Sequence, residues 1–351
     1  MKPKEFFILF LFVLVISCDS NSDDGQTKVN QSDTLNIDTL DTLVADTTVT
    51  DTIPEEPVVY GPPSDLEIIS DAIHFYVFGD FGRSGAYLQK ELGHMMDTVS
   101  TVLPPDFIIS TGDNFYPDGV KSVSDTHWQE TFENIYPTTN GLNCPWYVVF
   151  GNHDYHLNPD AQIAYTDVSD RWNMPGYYFL KDYEGVDFSM RLLFMDTNPF
   201  IDKYYAEGKF KNKVILQDTT AELSRMDSLF NSEEFTWKMV VGHHPVYSGE
   251  SRGSELGSMQ QHIMPHLYEN NVDVYFAGHE HVIRHLKKEE GPTHFITSGA
   301  GSKTVTAHDI PDTRFVSGTT AFLLVSVTSD SLYFQSINYK GEIEYKASIL
   351  K

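Results

Sequence analysis

The chain has 351 residues, with 50 acidic against 24 basic side chains and a formal net charge of −26. That length accommodates one large domain or two small ones. The charge argues against a nucleic-acid-binding face, which needs a basic surface, and against a basic amphipathic membrane helix; an acidic protein still binds phosphate when metal ions supply local positive charge.

The chain opens with Lys2 and Lys4, followed by an unbroken apolar run from Phe6 to Ile16. The run is shorter than the ~20 residues a spanning helix needs, and the pattern predicts a secretory signal. Val15-Ile16-Ser17-Cys18 also resembles a bacterial lipobox. That resemblance implies a lipid on Cys18, a signal over residues 1–18 and a protein anchored to the membrane of the cell envelope; a plain signal peptide with an incidental cysteine is the alternative. Cys18 and Cys144 are the only cysteines, so a lipidated Cys18 leaves no intrachain disulfide. Cys144 precedes an apolar strand and reads as a buried thiol. Residues 19–63 are acidic, poor in aromatics and repeat Asp-Thr at 38–39, 41–42, 46–47 and 51–52. Such composition predicts a disordered tether, and the folded domain is expected over residues 64–351.

Short apolar runs then appear at Ile73–Phe78, Phe107–Ser110, Trp146–Phe150, Arg191–Met195, Trp237–Val241, Val272–Ala277 and His294–Thr297. Most are continuous, as buried strands are. Between the first two, Leu88, Leu92, Met95 and Val99 keep a helical stripe. Thr219 with Glu222, and Ser258 with Gln261, have capping-box spacing. His262 and His266 lie four apart, but Pro265 interrupts them, so no metal role is assigned. From Ala321 to Ile349 the chain reads as hairpin strands, with turns near Asp330 and at Lys340-Gly341. The outline is α/β with added antiparallel strands.

Five of the strands end in the same way. Gly79-Asp80, Gly112-Asp113, Gly151-Asn152, Gly242-His243 and Gly278-His279 each place an oxygen or nitrogen donor directly after a glycine. Sites in open α/β sheets form beyond the carboxyl ends of strands, and glycine lets the backbone turn sharply there. Each pair alone is weak, whereas five together point to a metal centre. Asp, Asn and His without Cys suit Fe, Mn or Zn in a hydrolytic site.

The fuller strings GDNFYPDGV at 112–120, GNHD at 151–154, GHHPVYS at 242–248, GHEH at 278–281 and SGAG at 298–301 resemble those of the calcineurin-like metallophosphoesterases. More closely, they resemble the purple acid phosphatases of the small, tartrate-resistant type. The resemblance implies a two-sheet β-sandwich flanked by helices and a binuclear phosphatase acting on phosphate monoesters. It implies an Fe(III) site of Asp80, Tyr116, His281 and bridging Asp113, and a second divalent site (Fe, Zn or Mn) of Asn152, His243, His279 and the same Asp113. In this chain Gly82 stands where the wider superfamily places a ligand His, and Tyr116 supplies a donor instead. Two ions roughly 3.5–4 Å apart would clamp the phosphoryl group and activate a hydroxide. His153 would protonate the leaving group or only hydrogen-bond the phosphate. Where the small mammalian-type enzymes carry a Glu-His pair, this chain has Arg252, which would clamp phosphate or point to water. His156, His244 and His285 are left as supporting or surface residues, His244 having the strongest claim because it adjoins His243. A phosphodiesterase of the same superfamily and a non-catalytic envelope binding protein are the competing readings.

Overall fold

The computed structural model describes residues 60–351 other than 233. The expected signal and most of the expected tether lie outside the described residues. Of the tether's last residues, Tyr60 packs against the core and Pro63 is buried.

Fourteen strands are described: β1 (Ile73–Phe78), β2 (Phe107–Ser110), β3 (Trp146–Val148), β4 (Trp172–Asn173), β5 (Phe179–Gly185), β6 (Phe188–Phe194), β7 (Trp237–Val241), β8 (Val274–Ala277), β9 (Ile283–Lys287), β10 (His294–Ser298), β11 (Thr313–Ser317), β12 (Ala321–Val327), β13 (Ser331–Asn338) and β14 (Ile343–Leu350). They form two seven-stranded sheets, ordered β14-β13-β12-β1-β2-β3-β4 and β11-β9-β10-β8-β7-β6-β5. β1, β2, β3 and β4 run parallel, as do β6, β7, β8 and β10. The remaining pairings are antiparallel.

The continuous apolar runs reflect burial on both faces. Phe75, Val77, Phe107 and Ile109 face the interior between the sheets with Met239, Val241 and Phe276. The Phe75 ring stacks on Phe107 at 4.7 Å and meets Phe276 of the other sheet edge-on at 6.3 Å. Tyr76, Phe78 and Ile108 alternate to the outer face, where Leu92, Met95, Met96 and Val99 of helix α1 (Gln89–Ser100) cover them. The expected two-sheet sandwich with flanking helices is the observed fold.

The structure departs from the sequence expectations in local detail. Leu88 stands just before α1 with φ 68°, so the helix starts one residue later than the stripe suggested. The Gln89 Oε1 accepts the N–H groups of Arg83 and Gly85 at 3.0 and 2.8 Å. The helix at Thr219–Ser232 (α2) is capped by Asp218, whose Oδ1 accepts the Ala221 N–H at 2.9 Å, and not by a Thr219–Glu222 box. Ser258 lies inside the helix Gly253–His262 (α3) and donates to the Ser254 carbonyl, so it is no cap. Strands β4, β5, β9 and β11 had not been expected. β4 has two residues, and β5 and β11 are edge strands with exposed positions. These carry no continuous apolar run. β9 is buried but mixes in Arg284 and His285.

Candidate metal centre

Because β1, β2, β3, β7 and β8 run in register and in one direction within their sheets, their carboxyl ends open onto one side of the sandwich. Asp80, Asp113 and His279 adopt φ of 58°, 53° and 68°. Left-handed backbone is uncommon for residues with a Cβ and clusters at functional sites. Here it turns each side chain back over the strand ends. Two glycines are required by contact. A Cβ on Gly151 would lie 2.0 Å from Asp113 Oδ1, and one on Gly82 would lie 2.0 Å from the Asn114 carbonyl oxygen. The Gly82 carbonyl also accepts the Tyr116 N–H at 2.7 Å. Position 82 therefore lacks a donor because the Tyr116 loop occupies its space.

All seven predicted ligand side chains come together in two groups. In the first, the Tyr116 hydroxyl lies 3.0 Å from Asp80 Oδ1, 2.7 Å from Asp113 Oδ2 and 3.1 Å from His281 Nε2; His281 Nε2 is also 3.4 Å from Asp80 Oδ1. In the second, His243 Nε2 lies 3.2 Å from Asn152 Oδ1, 3.1 Å from His279 Nδ1 and 3.5 Å from Asp113 Oδ1. The donor atoms of Asp113, His243 and His279 all lie within 4.8 Å of one another. Asp113 belongs to both groups, one carboxylate oxygen to each.

The electrostatics fit cations. Asp80 and Asp113 are 0 % and 1 % exposed, yet their ion pairs among the described residues are with histidines alone. Burying carboxylates without a strong cationic partner is costly. Burial by itself would raise the Asp113 carboxyl, but His243, His153 and His279 outweigh it and hold it well below the usual range. Burial, reinforced by the charges of Asp113 and Asp80, pushes the Tyr116 phenol far up; a bound cation would reverse that balance. Carboxylates, phenol, amide and imidazoles form a hard-to-borderline donor set suited to iron, manganese or zinc. The side chains present therefore fit a two-metal centre.

His153 is placed beside this centre. Its N–H donates to Asp113 Oδ1 at 2.9 Å, and its Nδ1 lies 2.5 Å from the Pro117 carbonyl. Its ring sits 4.4 Å from that of Tyr116. His156 pairs with Asp118 and His285 with His294, both outside the ligand groups. His262 and His266 each pair with an aspartate, Asp202 and Asp227.

A supporting layer escaped the sequence reading. Asp154 is fully buried and accepts the N–H groups of Asn114, Phe115 and Gly151, tying the second and third ligand loops together. It had appeared only as the last letter of GNHD. Glu280, between two ligands, binds the fully buried Arg284 at 2.9 Å and accepts the Gly249 N–H. Glu255, on the first turn of α3, lies 3.0 Å from His279 Nε2; an acidic residue near a helix start reads from sequence only as a favourable dipole interaction. His244 does not join a metal group with Glu255 and His279, because Thr197 Oγ1 and Tyr204 OH engage both its ring nitrogens at 2.8 and 3.0 Å. Arg252 is held at 2.7 Å by Glu250 and reaches the His279 carbonyl and ring. Its side chain keeps 27 % exposure beside ligand His279.

The calcineurin-like phosphoesterase family model matches residues 73–283. The chain is 34% identical over 292 residues to purple acid phosphatase 7 of Arabidopsis thaliana, covering 80% of this chain and 87% of that protein. It is 30% identical over 250 residues to tartrate-resistant acid phosphatase type 5 of Homo sapiens, covering 68% and 76%. Among solved structures it resembles GAP50, described as the anchor in the inner membrane complex of Plasmodium, with TM-score 0.66, 23% identity and coverage of 80% and 89%. It also resembles purple acid phosphatase PPD1 from yellow lupin (Lupinus luteus) seeds, with TM-score 0.55, 13% identity and coverage of 80% and 54%. These structural likenesses are of the fold alone.

Proposed function

We propose that this chain, which belongs to the calcineurin-like phosphoesterase family, is a binuclear-metal acid phosphatase that hydrolyses phosphate monoesters. The observation that carries the reading is Asp113, whose two oxygens serve two separate groups of converging donors. Similarity to purple acid phosphatases supports it.

Asp80, Tyr116, His281 and Asp113 would hold Fe(III), because a phenolate is a hard anionic donor. Asn152, His243, His279 and Asp113 would hold a second divalent ion, Fe, Zn or Mn. When bound, the two ions supply Lewis-acid stabilisation of phosphoryl charge and activation of the attacking water. The protein's own part is positioning and charge stabilisation. Asp113 fixes the spacing of the two groups. His153, with Nδ1–H given to the Pro117 carbonyl, keeps Nε2 for the proton that the departing alkoxide needs. We further propose that Cys18 carries a lipid and anchors the domain at the cell envelope.

The test is a metal analysis and visible spectrum of the purified protein, with a panel of phosphate mono- and diesters assayed from acid to neutral pH. The expected result is one iron and one further divalent ion per chain, a visible band on oxidation and preference for monoesters in acid. Preference for diesters would identify a phosphodiesterase. Absence of bound metal after reconstitution would overturn the reading.

A further inference from the structure

We infer that Glu255 is a positioning residue for the second metal, holding His279 in the one tautomer that frees its Nδ1 for ligation. The inference rests on the two-metal reading above.

The geometry of His279 sets the requirement. Its Nδ1 faces the centre, 3.1 Å from His243 Nε2, and its Nε2 points away, toward the start of α3. An imidazole nitrogen that ligates a cation carries no proton, so the other nitrogen must carry it and needs an acceptor. Two groups compete for Nε2. Glu255 Oε2 lies 3.0 Å away and can only accept. Arg252 Nη1 lies 2.9 Å away and can only donate. An Arg252 donation would demand a bare Nε2 and put the proton on Nδ1, which blocks ligation. The Glu255 bond demands the reverse. Glu255 is thus the partner compatible with metal binding, and Arg252 then turns its charge to the Glu255 carboxylate, 3.7 Å away.

Glu255 is itself held in place. Its other oxygen is bound by Lys203 at 3.0 Å and by the Tyr204 hydroxyl at 3.2 Å. The same hydroxyl engages His244, the neighbour of ligand His243. With 6 % exposure, the carboxylate is fixed by packing and by three polar partners. Carboxylates behind metal-bound histidines commonly contribute 10–100-fold in metal affinity. This one comes from a helix beyond the strand-end ligands, so it acts on the His-rich group and leaves the Tyr116 group untouched.

Full-length protein with Glu255→Gln and Glu255→Ala substitutions tests this, reconstituted with iron and then titrated with Zn(II). Wild type must bind two metals; if it binds fewer, the two-metal reading fails and not this inference. Given two in wild type, Glu255→Ala should bind Zn(II) at least 10-fold more weakly. It should keep its iron and its visible band, because Tyr116 is not disturbed. Glu255→Gln, which still accepts from Nε2–H, should fall between. Equal loss of both metals, or Zn(II) affinity within twofold of wild type in both variants, would overturn the inference. If Glu255→Ala does not fold, the Glu255→Gln titration and band decide alone, a drop of threefold or more in Zn(II) affinity with the band intact supporting the assignment.

Discussion

The Asp113 carboxylate faces two ways: Oδ2 accepts the Tyr116 hydroxyl at 2.7 Å, and Oδ1 accepts the His153 N–H at 2.9 Å and lies 3.5 Å from His243 Nε2. No other side chain in the site belongs to both donor groups. Asp113→Asn keeps the shape and one oxygen but replaces the other with an amide nitrogen that cannot ligate. We expect that one metal is lost per chain and that activity falls by about 10²–10³ or more, the scale of removing one charge-stabilising group. Metal content beside kcat decides; an Asn variant with two metals and full activity would show that Asp113 does not bridge.

His153 should fail differently. It contributes only a backbone N–H to the ligands, so His153→Ala keeps both metals. The rate on a substrate with a poor leaving group should fall by about 10²–10⁴. With a good leaving group, which needs little protonation, the loss should shrink. Steady-state rates across a leaving-group series give the answer, and a flat, undiminished profile would remove His153 from proton transfer.

Tyr116→Phe removes the hydroxyl that both Asp80 and Asp113 accept and keeps the buried ring. The visible band of the oxidised protein should bleach and iron should be held less tightly. The metal-free protein should lose about 1–3 kcal/mol, because two buried carboxylates lose a donor. Spectra and thermal melts of loaded and metal-free protein check both parts. A band that persists unchanged would exclude Tyr116 as a ligand.

Two buried carboxyls, Glu222 and Asp196, should each favour the folded state more in acid than at neutral pH. Burial raises Glu222 well above 4.5, helped by the nearby Asp196 charge. Burial likewise raises Asp196 from 3.8 to about 6, against the bond from Tyr155. For a carboxyl whose folded pKa is raised, the stability of the protonated form is fully present below the unfolded value and is lost as pH rises to the folded one. The Asp196 window therefore runs from about 3.8 to about 6, and that of Glu222 opens near 4.5. One Glu222 oxygen has no hydrogen-bond partner. Glu222→Gln should therefore gain on wild type as pH rises, by up to about 1.4 kcal/mol per pH unit inside the window. Denaturant melts from pH 4 to pH 8 measure it; parallel curves for the two proteins would refute the assignment.

Some of this molecule is written in local sequence. Runs such as Ile73–Phe78 and Trp237–Val241 are mostly apolar because both faces are covered, and their shortness and aromatic and β-branched content reveal them as strands. The Gly-ligand pairs that follow are equally local, since a strand end, a sharp turn and the next side chain need no distant partner. Tyr116 lies three residues after Asp113 in the same string, and its role as a donor came from the family resemblance that the string carries.

What tertiary structure decided is everything that depends on which side chains meet across the chain. Sequence could not tell what Arg252 would reach; the fold sets its guanidinium beside Glu250, Glu255 and His279. It could not tell that Gly82 is empty because the Asn114 backbone fills its space. Nor could it distinguish Glu255 from any acid in a first helical turn, because only tertiary packing brings the start of α3 to His279. Strand periodicity and turn chemistry act over a few residues, whereas the direction of a buried charge is set by partners distant along the chain.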